Sequence, residues 1–200
     1  MYLVGLTGGI AAGKTSVAKR WVELGGHEID ADVLARRALE AGSPGLSQVV
    51  EAFGASVLDG NGELNRQKLA EVVFNSPEKR KDLEAIVHPI VRRLATQALA
   101  TIPEGSIAIY TVPLLVEASV DLPFDFVVTV EAPVDKQIER MIKNRGMTAQ
   151  EANARIAAQA SAAERANRAD VILSSNQSLG RLLDDAEALW QEIERRAAAK

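Results

Sequence analysis

The stretch GGIAAGKT at residues 8–15 carries the clearest chemistry in the chain. Gly8, four residues, then Gly13-Lys14-Thr15 is the spacing of a phosphate-binding loop. Gly8 and Gly13 permit a tight turn and close approach of the backbone to an anion. The N–H groups of Gly9, Ile10, Ala11, Ala12, Gly13, Lys14 and Thr15, with Ser16 beside them, supply donors to phosphate oxygens. A helix starting here adds the positive end of its dipole. Lys14 suits the β- and γ-phosphates of a nucleoside triphosphate, and the Thr15 hydroxyl suits Mg²⁺. The plain alternative is a glycine turn that merely joins a strand to a helix. The flanking residues decide for phosphate, because the apolar run YLVGLT (2–7) reads as a buried strand and residues 13–24 as a helix.

Further reactive residues are spread along the chain. Asp30 and Asp32 follow a second short strand, HEID (27–30). His88-Pro89 interrupts a helical stretch, and Pro113-Leu114-Leu115 closes an apolar run. Arg140, Lys143 and Arg145 form a basic group. Several elements must position these residues. Leu46, Val49, Val50 and Phe53 repeat on one helix face, as do Leu83, Ile86, Val87, Ile90, Val91 and Leu94, with Pro89 expected to kink or divide the second helix. DGNGE (59–63) is turn chemistry, and Ser76-Pro77 is a helix start. SIAIYTVP (106–113) and DFVVTVE (125–131) read as parallel strands covered on both faces. Thr148…Glu151 and Ser161…Glu164 have capping-box spacing. ADVILSS (169–175) is a fifth strand. A last helix carries Leu179, Leu182, Leu183, Ala186, Leu189, Trp190 and Ile193 on one stripe. Five strands separated by helices predict an α/β, doubly wound five-stranded parallel sheet of the P-loop type.

Composition narrows the function. At 200 residues, with 47% hydrophobic and 25% charged residues, the chain can bury an ordinary core, which excludes general disorder. A net charge of −4 argues against general nucleic-acid binding. The absence of cysteine excludes disulfides, thiolate metal sites and cysteine nucleophiles, and two histidines make a multi-histidine metal site improbable. The longest apolar run, 107–116, is short of the about 20 residues a membrane span needs. The start of the chain lacks the pattern of a signal peptide. A cytoplasmic protein with no membrane, nucleic-acid or obligatory protein partner is expected.

A phosphate loop serves switches, motors and kinases. The Asn-Lys-x-Asp segment of guanine-reading switches is absent. The run ending at Glu131 is a weak match to the acidic strand end of motors. Kinases of small acceptors place an acceptor lobe after the second strand and a basic lid before the last, which this chain provides. LTGGIAAGKTSVA followed by IDAD (29–32), then HP (88–89), VPLLVE (112–117), RIAAQ (155–159) and RADVI (168–172), resembles the dephospho-coenzyme A kinase family across nearly the whole chain.

That resemblance implies transfer of the ATP γ-phosphate to the 3′-hydroxyl of dephospho-CoA, giving CoA and ADP. It implies a nucleotide core (1–32, 103–132 and 166–200), a helical acceptor lobe (33–102) and a lid (133–165). Asp32 matches the second aspartate of the family's DAD and is assigned as the base that takes the hydroxyl proton, with an N-cap role as the alternative. Asp30 is either an accessory group or a turn residue. His88 either contacts substrate or simply packs. Leu114 and its neighbours end a strand where an acceptor wall would stand, with Glu117 nearby; Leu115 serves equally as core. Arg140 is expected to reach the ATP phosphates, the alternative being a surface pair with Glu139 or Asp135. Asn144-Arg145-Gly146 shifts the family's second lid arginine by one place, and Ser174-Ser175-Asn176-Gln177 replaces the family's usual segment beside adenine. A nucleoside or nucleotide kinase and a nucleotide-binding regulator are the competing readings.

Overall fold

The apolar N-terminal run forms β1 (Tyr2–Gly8), all of whose residues are buried. It is the central strand of a parallel five-stranded sheet with β2 (His27–Asp30), β3 (Ile107–Thr111), β4 (Phe126–Glu131) and β5 (Val171–Ser174), in the order β2-β3-β1-β4-β5. This is the α/β doubly wound arrangement that the strand pattern predicts. The computed structural model describes residues 1–74, 76–113, 115 and 122–200. Val4 pairs with Ile109 on one side and Phe126 on the other, so the central strand has no open edge. All-apolar strands suit this middle position because helices cover both faces. β5 lies at the edge, and its Ile172 is exposed.

The helices around the sheet are α1 (Lys14–Glu23), α6 (Val134–Arg145), α7 (Ala149–Ala157), α8 (Ala162–Ala166) and α9 (Leu179–Ala198). Val4 and Leu6 of β1, Val128 and Val130 of β4, Trp21 of α1 and Trp190 of α9 share one core. The Trp21 ring lies 5.9 Å from that of Trp190 and donates its Nε1–H to the Ala186 carbonyl at 2.8 Å. Leu182, Ala186, Trp190 and Ile193 form the buried stripe of α9; Leu179, at its first position, is exposed.

Contacts divide the chain into two compact units, Met1–Asp30 with Ile102–Lys200, and Ala31–Thr101. The second unit holds α2 (Ala31–Ala38), α3 (Pro44–Phe53), a 3-10 turn (Ala55–Val57), α4 (Arg66–Phe74) and α5 (Pro77–Leu99). Its own core gathers Ala38, Leu39, Val49, Val57 and Leu69. Asp59 accepts from the N–H groups of Asn61 and Glu63, closing the expected turn. Ser76 caps α5 by accepting from the Lys79 N–H, with Pro77 at the first helical position. One expectation is corrected here: Pro89 does not divide α5, which runs unbroken through it. Proline removes one amide donor and crowds the preceding turn, at a cost of about 3 kcal/mol. Ile86, Val87, Ile90 and Val91 on either side pack against the unit's core and outweigh that cost.

Candidate functional site

β1 ends at Gly8, in contact with the backbone of β4. A Cβ built on Gly8 would stand 2.4 Å from the Val130 carbonyl oxygen, so glycine is required there. The chain then turns tightly, the Ala12 N–H donating to the Gly9 carbonyl at 3.0 Å. Ala11 has φ 56°, a left-handed conformation uncommon for residues other than glycine. Gly13, also left-handed at φ 107°, starts α1. Serine or threonine side chains cap α3, α5, α7, α8 and α9, whereas α1 has no side-chain cap and no acid in its first turn. An N-terminus of this kind suits an anion. Lys14 is the first residue of α1, with Thr15 and Ser16 next.

The loop is braced by residues distant in sequence. Arg140, on α6, donates through Nη1 to the Ala11 carbonyl at 3.1 Å and to the Ser175 Oγ at 2.9 Å. Its Nη2 donates to the Ser175 carbonyl at 2.8 Å. The alternative of a surface pair for Arg140 is set aside, since Glu139 instead pairs with Lys136 at 3.0 Å. From beyond α7, the Gln159 Oε1 accepts the Ile10 N–H at 2.8 Å. Gly9 approaches the buried side chains of Arg165 and Gln137. The structure therefore brings Arg140 to the loop formed by Gly8, Gly9, Ile10, Ala11, Ala12, Gly13, Lys14, Thr15 and Ser16.

The other expected residues are placed as follows. Asp30 is the last residue of β2, and Asp32 lies in the first turn of α2, exposed. Because α2 begins at Ala31, Asp32 is inside the helix and the N-cap alternative is corrected. There its charge favours the helix dipole. Burial, and to a smaller extent the charge of Asp30, raises the Tyr110 phenol above its ordinary value. His88 is exposed on α5. Leu114 and Glu117 lie outside the described residues, while Leu115 is buried. Arg145 is exposed at the end of α6, where Gly146 forms a left-handed cap. Among the described residues, no three His, Cys, Asp or Glu side chains cluster to hold a metal, and no helix is long and apolar enough to cross a membrane.

Arg165, Gln137 and the role of Gln159 carry no signal in the residue types taken singly. RIAAQ marked Gln159 only as part of a family pattern. Nothing local signals Arg165, whose partner Glu131 is 34 residues away.

The dephospho-CoA kinase family model matches residues 2–180. A dephospho-CoA kinase of Thermobifida fusca is 43% identical over 196 residues, covering 98% of each chain. Among solved structures, TT1252 from Thermus thermophilus superimposes with a TM-score of 0.83 at 33% identity, covering 96% of this chain and 97% of that one. A dephospho-CoA kinase from Campylobacter jejuni shares the fold with a TM-score of 0.65 at 24% identity, covering 96% of each chain.

Proposed function

Because the chain belongs to the dephospho-CoA kinase family, and so transfers the ATP γ-phosphate to the 3′-hydroxyl of dephospho-CoA to give CoA and ADP, we propose how its residues divide that work. Residues 8–16 hold the ATP phosphates. Segment 33–102 takes the acceptor, and 133–165 serves as lid. Lys14 neutralises charge on the β- and γ-phosphates. Asp32 orients the 3′-hydroxyl and accepts its proton as the new bond to phosphorus forms, the γ-phosphoryl group leaving ADP on the opposite side. Arg140 adds positive charge beside the loop, where charge spreads over the transferring group. His88 and Leu114 contact dephospho-CoA.

Magnesium fits this donor set. A cation that keeps most of its waters and arrives on ATP needs few protein ligands, and Thr15 in the first turn of α1 provides a hydroxyl. Such an ion supplies charge neutralisation at the phosphates. The reaction is assigned to the cytoplasm, with no nucleic acid, membrane or obligatory protein partner.

The observation that carries the reading is the glycine-framed turn between β1 and an uncapped α1 that starts on Lys14. A coupled assay with ATP and dephospho-CoA, beside adenosine and AMP, tests the acceptor; turnover of AMP or adenosine in preference to dephospho-CoA would overturn it. Lys14→Ala should nearly abolish turnover with the circular dichroism unchanged. A variant that keeps most of its turnover removes the phosphate loop from the mechanism.

A further inference from the structure

A ring of N–H groups binds an anion only while successive peptide planes keep their N–H edges on one side. Two planes of the loop are held at both ends. In the 9–10 peptide, the Gly9 carbonyl accepts the Ala12 N–H at 3.0 Å and the Ile10 N–H donates to the Gln159 Oε1 at 2.8 Å. In the 11–12 peptide, the Ala11 carbonyl accepts from Arg140 and the Ala12 N–H is the donor to Gly9. Between them Ala11 sits at φ 56°, a conformation that alanine does not favour by itself. The loop shape therefore depends on groups outside it. Gln159 is one of those groups, half-buried just past the end of α7.

We propose that Gln159 is a positioning residue for ATP: its side-chain carbonyl fixes the 9–10 peptide and so keeps the phosphate cradle open to the nucleotide. It acts through the Ile10 amide. The choice of a glutamine follows from the chemistry. The nucleotide requires the acceptor to be neutral, since a carboxylate could accept the Ile10 N–H equally well but would bring negative charge to a loop that receives a triphosphate. The same side chain couples the segment 134–165 to the cradle, because Arg140 and Gln159 reach the loop from its two ends. The inference rests on residues 8–16 being the ATP cradle.

Gln159→Met keeps the length of the side chain and removes the oxygen acceptor. Three readouts are compared with the parent enzyme: hydrogen exchange at the Ile10 amide without nucleotide, the separate KM values for ATP and dephospho-CoA, and the melting temperature. We expect Ile10 exchange to accelerate about tenfold, as for the loss of one hydrogen bond. KM for ATP should rise about three- to tenfold while KM for dephospho-CoA and the melting temperature stay near the parent. Gln159→Glu restores an acceptor and should return Ile10 protection, without restoring KM for ATP. An unchanged KM for ATP overturns the proposal. So does a lowered one, which would make Gln159 a competitor of the nucleotide. A fall in melting temperature with unchanged kinetics would leave only a structural contact and also overturn it. Should Gln159→Met fail to fold, Gln159→Ser carries the same readouts. Lys14→Ala, run in parallel, separates the two readings: retained turnover there removes the ATP cradle, whereas Ile10 exchange reports on the Gln159 bond regardless.

Discussion

Arg165 grips Glu131 through two side-by-side bonds, Nε to Oε1 and Nη2 to Oε2, each 2.7 Å long. The guanidinium is 5% exposed and the carboxylate 14%, so this is an interior ion pair rather than a surface one. Thr129 donates to the same Oε1 at 2.6 Å, and Arg165 also donates to the Ala160 carbonyl. The pair ties α8 to the end of β4, next to Gly9 of the phosphate loop.

Arg165→Met should therefore strand the Glu131 carboxylate. Breaking a buried pair from one side costs about 3 kcal/mol, the lower end of the usual range because Glu131 retains some contact with water. A thermal melt should fall by about 6–12 °C in a chain of this size. Adding Glu131→Leu should recover much of the loss, since an apolar pair carries no stranded charge. A single variant that melts with the parent would show the pair to be energetically idle.

Asp32→Asn tests the proposed base. Asparagine keeps the shape and cannot take a proton, so kcat should fall by about 10²–10⁴-fold. The loose transition state of phosphoryl transfer makes proton removal late and places the loss toward the smaller figure. KM for ATP should hold. Stability should fall by only about 0.3–1 kcal/mol, the usual worth of a first-turn carboxylate at the dipole of a helix such as α2. Preserved kcat would move the base elsewhere, with Asp30→Asn the next variant to assay.

Gly8→Ala should cost at least about 3 kcal/mol, through backbone conflict between β1 and β4. The added methyl would stand 2.4 Å from the Val130 carbonyl oxygen and 3.1 Å from its nitrogen. Gly60→Ala, where the methyl meets nothing within 4 Å, is the control and should be nearly neutral. Denaturant titration of both proteins distinguishes a local clash from a general intolerance of alanine.

Both capping boxes predict a response to acid. Hydrogen bonds from the backbone N–H and hydroxyl of Thr148 hold the Glu151 carboxyl below its ordinary value, and Ser161 does the same for Glu164. A carboxyl lowered by folding stabilises the folded form above the unfolded value, and that contribution is lost as pH falls through the folded one. The starts of α7 and α8 should thus loosen in the acid range below the ordinary glutamate value. Carboxyl NMR titration should place both midpoints low. Thr148→Ala removes the hydroxyl bond and keeps the backbone N–H bond, so it should move Glu151 part of the way toward normal and leave Glu164 unmoved; an unmoved Glu151 would show that the hydroxyl contributes nothing to the shift.

Features that span a few residues were legible from the order of amino acids. The loop GGIAAGKT, the caps at Ser76, Thr148 and Ser161, and the turn at Asp59 each rest on contacts between near neighbours, so composition and spacing suffice to specify them. The central strands β1, β3 and β4 were legible too, because burial on both faces demands continuous apolar runs. Pro89 does not divide α5 because its local penalty is set against packing by Ile86, Val87, Ile90 and Val91, which spacing shows as a stripe but does not weigh. The start of α2 was expected at Val33 and lies two positions earlier at Ala31, which puts Asp32 inside the helix and leaves Asp30 as the residue before it.

What belongs to the tertiary structure alone is the set of long-range bonds around the phosphate loop. Ile10 and Gln159 are 149 residues apart, Ala11 and Arg140 are 129 apart, and Arg140 and Ser175 are 35 apart. A glutamine or arginine side chain is compatible with many partners, and no spacing rule selects one of them. The sheet order β2-β3-β1-β4-β5 and the course of α6 to α8 bring these partners together. The order of residues alone specifies the phosphate-loop motif and where along the chain it lies. Which distant side chains hold the loop in shape was decided only by the folding of the sheet, because a hydrogen bond acts over about 3 Å of space and takes no account of separation along the chain.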